Sequence, residues 1–169
     1  TLISVGILAM IYWVTKGILQ IPISLFLDKT DGEKDDFYSL ILGLMIIGIG
    51  AFSFIIVQEI WQAYAAQFVK AVGFALYIPA WTSIFSRHLD KKNTAFDWAF
   101  SSSAVSLGLG IATFFSGVVA SLAGFRFVFL LTGLLSLISA AVLLFVPNLL
   151  LPEKAVSKDT APLKDHRVI

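Results

Sequence analysis

Five stretches of this chain run for about twenty residues or more almost without charge, and no other feature constrains the fold as strongly. They cover about 1–27, 37–58, 60–86, 98–123 and 125–151. A bilayer core of about 30 Å needs about 20 helical residues, so each stretch is long enough to cross. Backbone groups in lipid must find their partners within the segment, which makes runs of this kind helices. Internal Gly and Pro are tolerated where such helices pack. Hydrophobic residues make up 58% of the chain and charged residues 14%, whereas a soluble domain carries about a quarter charged residues. The expected fold class is an all-α membrane protein of about five transmembrane helices, with a polar tail over 152–169.

The connections alternate between long and very short. Asp28 to Asp36 reads DKTDGEKDD and Arg87 to Asp97 reads RHLDKKNTAFD, while only Gln58–Glu59 and Ala123–Gly124 separate the other pairs. The long loops hold Lys29, Lys34, Arg87, Lys91 and Lys92, and the tail adds Lys154, Lys158, Lys164 and Arg167. The opposite side has Arg126. Orientation follows the count of Lys and Arg, so the long loops and the tail are expected in the cytoplasm, with the first helix running inward. The expected location is the plasma (inner) membrane.

Several function classes fall away. A net charge of +1 does not supply the basic surface that nucleic acid requires. With no cysteine, and with His88 and His166 as the imidazoles, neither thiol catalysis nor a structural metal site is expected. HExxH, GxSxG and P-loop sequences are absent, so no enzyme and no cofactor is expected. The DKTDGEKDD loop lacks the alternating oxygen ligands of an EF-hand and reads as a solvated turn. No secretory leader is visible, and Thr1, already inside an apolar run, reads as the edge of a fragment.

Two charges fall deep inside the spans, Lys16 and Lys70. Twelve residues separate Lys16 from Asp28 and eleven separate Glu59 from Lys70. At about 1.5 Å per residue that is about 16–18 Å from a membrane edge, close to the midplane. A lysine snorkels poorly over such a distance. Its ammonium costs at least a few kcal/mol in hydrocarbon and belongs against a bundle interior or a wet cavity. Tyr64, Gln67, Lys70, Phe74, Tyr77 and Trp81 recur every three or four residues on the third helix, as do Trp13, Lys16 and Gln20 on the first. Aromatic surface with a few hydrogen-bonding groups is the usual lining of a ligand pocket. The plainer reading is that both lysines pair with carboxylates or carbonyls in packed helix contacts. No carboxylate lies within the five stretches, so an acidic partner would come from a ligand, another chain or a missing part.

The fourth helix carries Ser102, Ser106, Gly110, Thr113, Gly117 and Ser121 on one face, where close helix packing is the expected use. Pro79 and Pro22 are expected to bend the third and first helices. Asp97 stands where helix capping is expected.

At the first long loop the chain resembles the major facilitator superfamily. That family carries G-x-x-x-D-R/K-x-G-x-R/K-R/K between its second and third helices and a weaker copy between its eighth and ninth. Here Asp28 and Lys29 match, Ser24 stands in place of Gly, Gly32 is one residue late, and the basic pair is reduced to Lys34. Gln20-Ile21-Pro22 resembles the approach to that loop. Gln67, Gly73, Pro79 and Arg87 resemble the family's tenth helix. The Gly/Ser-rich fourth span with Ala123-Gly124-Phe125-Arg126 resembles its eleventh and the turn after it. The resemblance places residues 1–151 as helices eight to twelve, a partial facilitator-type bundle. Helices two to six, with a central linker as the tail, are the other placement.

In that family the eighth, tenth and eleventh helices line the central cavity, and Lys16 and Lys70 fall on the first two of these. The resemblance implies an alternating-access carrier for a small polar or anionic solute. Lys16, Lys70, Gln20, Gln67, Trp13 and Tyr77 would line the solute site, and Asp28 and Lys29 would belong to a gating network. Its partners would be the solute, membrane lipid and the missing N-terminal helices. The competing expectation is a self-contained five-helix scaffold or sensor acting through helix–helix contact.

Overall fold

The computed structural model describes residues 2–29, 34–90 and 92–145. It contains five long helices: α1 (Leu2–Leu27), α2 (Lys34–Ser53), α3 (Ile60–Arg87), α4 (Thr94–Ala123) and α5 (Phe125–Phe145). A 3₁₀ turn at Phe54–Ile56 extends α2, and all five are long and apolar enough to cross a membrane. The expected tail, the end of the fifth span at 146–151, and Gly32 and Lys91 lie outside the described residues.

Each boundary has a local cause. Between α2 and α3 the chain turns within three residues, because a capping box satisfies the start of α3. The Gln62 side chain accepts the backbone N–H groups of Gln58 (2.7 Å) and Glu59 (3.1 Å), while the Glu59 side chain takes an N–H from the first turn. Two exposed backbone donors at a helix start are thereby paired. Between α4 and α5 there is one residue, Gly124, at φ +84°. Its N–H closes on the Ala120 carbonyl at 3.0 Å, and its lack of a Cβ makes that backbone affordable. Neither proline interrupts its helix: α1 continues through Pro22 and α3 through Pro79.

Two boundaries differ from the sequence expectation. α2 begins at Lys34 rather than Phe37, and α4 at Thr94 rather than Trp98. Both extra turns are polar. They carry Asp35 and Asp36 on α2 and Asp97 on α4, acids that suit the positive end of a helix dipole. Counting charge as the end of a helix trimmed a turn from each. Asp97 serves there by accepting the Asp90 backbone N–H across the loop at 3.1 Å.

The main contacts run in the order α1, α3, α2, α5, α4, with α2 in the middle. Glycines let α2 approach both neighbours. A Cβ on Gly43 would lie 2.8 Å from the Gly73 carbonyl and the Tyr77 nitrogen, and one on Gly73 would lie 2.8 Å from the Ile47 nitrogen. A Cβ on Gly50 would lie 3.0 Å from the backbone of Lys70, and Gly48 faces Leu137 and Gly133 on α5. Without a hydrophobic force between helices in lipid, such backbone proximity supplies the van der Waals contact that holds them. The small-residue face expected to pack closely is on α4, and there the outcome is different. No α4 residue is buried, and Gly108, Gly110 and Gly117 have nothing within 4 Å of a built Cβ.

Candidate functional site

Lys16 lies on α1, whose window of spanning residues has no buried position, yet its ammonium is not left against hydrocarbon. Nζ rests 4.2 Å from the centre of the Trp13 ring and 5.5 Å from that of Tyr12. The negative ring faces hold the charge where no acid is present. One-turn spacing from Tyr12 to Lys16 makes this possible. Tyr12 had no place in the predicted stripe, although it precedes Lys16 by four residues and so shares its side of the helix.

Tyr12 also ties the two lysine-bearing helices together. Its ring meets Phe74 of α3 edge-on at 5.6 Å, and Phe74 meets Tyr77 at 6.5 Å. Trp13 packs edge-on against Tyr12 at 5.2 Å. α1 and α3 run in the same direction along the bundle, since the short turns at Gln58–Glu59 and the long loops alternate between its ends. Lys70 stands one turn before Phe74 and Lys16 one turn after Tyr12. The Tyr12–Phe74 contact therefore sets the two lysines about 12 Å apart along the helix axes, with rings between them. The sequence set both near the midplane. The structure spreads them to either side of an aromatic band.

The remaining members of the stripe follow the same side. Gln20, Gln67, Lys70 and Tyr77 are all half-buried. Trp13 and Trp81 are exposed. Gln67, Lys70, Phe74, Tyr77 and Trp81 fall within about a quarter-turn of one another on α3 at 100° per residue, and Tyr64 falls off that line. Lys70 leaves α3 beside Gly50 of α2, whose missing side chain gives its backbone room. Among the described residues no acidic group pairs with Lys16 or Lys70. The wall thus offers two cations, two amides, two phenol hydroxyls and several ring faces. That set can hold an anion or a hydrogen-bond acceptor. Among the described residues there is likewise no His, Cys, Asp and Glu cluster that could hold a metal ion.

Asp28 and Lys29 lie just past α1 and are exposed. The Asp28 N–H bonds the Ser24 carbonyl at 2.9 Å, and the Ser24 hydroxyl donates back to the Gln20 carbonyl at 2.9 Å. The buried acid at this end is Asp36, in the first turn of α2 and one residue before the expected span at 37–58. Its side chain is 0% exposed. Oδ2 accepts from the Ser83 hydroxyl at 2.9 Å and pairs with Arg87 at 3.0 Å, whereas Oδ1 has no partner. Ser83 and Arg87 stand one turn apart on α3, and that i, i+4 spacing was the signal available in the sequence.

A groove of about 500 Å³ opens elsewhere, lined by Pro22, Phe26, Asp35, Tyr38, Leu42 and Leu76. Almost all of that lining is hydrocarbon, and no lysine of the wall reaches it. Charge in a low-dielectric setting is the stronger pointer to function than volume, so the α1/α3 wall is the candidate site.

Five apolar spans and a cationic, ring-lined wall between two of them define a multi-pass membrane protein of the transporter kind. The sequence model of the Major Facilitator Superfamily matches residues 1–167. The chain belongs to that superfamily of secondary transporters. No curated protein and no solved structure matches it significantly.

Proposed function

We propose that this chain forms the solute-binding wall of an alternating-access carrier for a small polar or anionic solute. The observation that carries the reading is Lys16. An ammonium sits within an apolar helix, resting on the Trp13 and Tyr12 rings and, among the described residues, unmatched by any acid. An intramembrane ammonium kept charged at such expense has a function, and an anionic solute is the partner its surroundings lack. Lys16, Lys70, Gln20, Gln67, Trp13 and Tyr77 line the site, reaching solute arriving from either end as two helical halves rock about it.

In this reading the end bearing Asp28, Lys29 and Arg87 faces the cytoplasm of a plasma (inner) membrane, by its excess of Lys and Arg. Asp28 and Lys29 gate that end. The uncovered face of α4 supports a place for further helices of the same carrier, packed on Gly110 and Gly117. The placement as helices eight to twelve is retained.

The test is uptake by proteoliposomes holding the whole carrier. Lys16→Ala is expected to abolish uptake of the anionic solute while the protein still inserts and folds. Unchanged uptake in that variant removes the reading.

A further inference from the structure

The site's rings outnumber its charges, and their arrangement says what kind of anion fits. Lys16 and Lys70 stand about 12 Å apart along the helix axes, so a small anion engages one of them, not both. What lies between is the edge-to-face series Trp13, Tyr12, Phe74, Tyr77. Trp13 is 62% exposed. It shares the side of Lys16, because the ammonium rests on its ring, and that side cannot be bare hydrocarbon. On the carrier reading the indole therefore faces the solute path rather than being spent on packing between helices. Trp81, also exposed, continues the ring surface along α3 and stacks on Phe85 at 5.6 Å.

A hydrophilic anion such as succinate would surrender its water here and recover one ammonium, with few donors to replace the rest. A flat ring carrying one carboxylate loses less water, stacks on the indole and phenyl faces, and still meets Lys16. Because no acid among the described residues neutralises Lys16, its charge is available to that carboxylate, and the ring-held position needs only a small displacement.

We propose that the solute is an aromatic monocarboxylate, with its carboxylate on Lys16 and its ring against Trp13 and the Tyr12–Phe74 pair. This rests on the carrier reading and narrows its substrate class. Burying a benzene-sized ring against aromatic faces is worth on the order of 30-fold in affinity.

The experiment measures uptake of benzoate, indole-3-acetate, acetate and succinate by the whole carrier in proteoliposomes, in wild type, Trp13→Leu and Trp13→Phe. The expected result is kcat/KM at least about tenfold higher for the two aromatic acids than for acetate or succinate, on the magnitude above. Trp13→Leu then brings that ratio towards one, and Trp13→Phe, which keeps a ring, retains much of it. Uptake of acetate or succinate as fast as that of benzoate overturns the aromatic assignment and leaves the anion carrier standing. Uptake of none of the four acids overturns both the assignment and the anionic class. An aromatic preference unmoved by Trp13→Leu overturns the placement of the ring and with it this proposal.

Discussion

Arg87→Gln should destabilise the bundle more than Asp36→Asn, although the two residues form one ion pair. The asymmetry comes from burial. Asp36 is 0% exposed and the Arg87 side chain 35%. Removing the arginine leaves a buried carboxylate with the Ser83 hydroxyl on Oδ2 and nothing on Oδ1. Breaking a fully buried pair in this direction costs about 3–5 kcal/mol. The exposure of Arg87 lets water share the interaction, which brings the expectation to about 2 kcal/mol. Asp36→Asn removes the buried charge itself, and its amide oxygen still accepts from Ser83. The arginine side chain is 35% exposed and keeps its hydration, and the loss should be about 0–1 kcal/mol. The double variant should then be more stable than Arg87→Gln alone, because the orphaned charge has gone. Unfolding in detergent micelles followed by tryptophan fluorescence reads all four proteins. Asp36→Asn as damaging as Arg87→Gln, or a double variant worse than either, would refute the reasoning.

Three further outcomes follow from the packing and the site. Gly43→Ala and Gly73→Ala each put a Cβ within 2.8 Å of backbone across the α2/α3 seam and should lower stability by about 1–3 kcal/mol. Gly108→Ala, open on α4, should be neutral or slightly stabilising in the same unfolding assay. Gln62→Ala removes half of the capping box and should cost about 1 kcal/mol; an unchanged midpoint would show that water replaces it fully. Lys16→Gln keeps a polar side chain but loses the charge, and should depress anion uptake by at least tenfold, an estimate from the loss of one desolvated charge-assisted contact of about 1.5–3 kcal/mol. Uptake within twofold of wild type would assign Lys16 to packing alone.

Membrane helices are legible in sequence because lipid leaves the backbone no alternative, and among the described residues five helices are long and apolar enough to cross, as expected. Their ends were less legible. Asp35, Asp36 and Asp97 read as loop because they are charged, yet the first turn of a helix accepts acids. At the site, the stripe through Gln67, Lys70 and Phe74 followed from helical spacing within α3. What spacing could not supply was the register between α1 and α3, set by Tyr12 against Phe74, or that Lys16 would settle on rings. Gly43 and Gly73 were invisible as partners for a related reason. Small residues on α4 looked equally suited to close packing, and a single helix does not reveal which of its faces a neighbour will use.

The most direct test of the account exploits a chain with no cysteine. Gln67 belongs to the lysine-bearing wall, while Ala65 is exposed at nearly the same depth on the far side of α3. A thiol reacts as the thiolate and so needs water. With single cysteines in the whole carrier in membranes, otherwise free of cysteine, Gln67→Cys should react with a membrane-impermeant maleimide and be protected by solute. Ala65→Cys, facing lipid, should stay inert. A reactive Ala65→Cys beside an inert Gln67→Cys would place the water on the other side of α3 and contradict the proposed cavity.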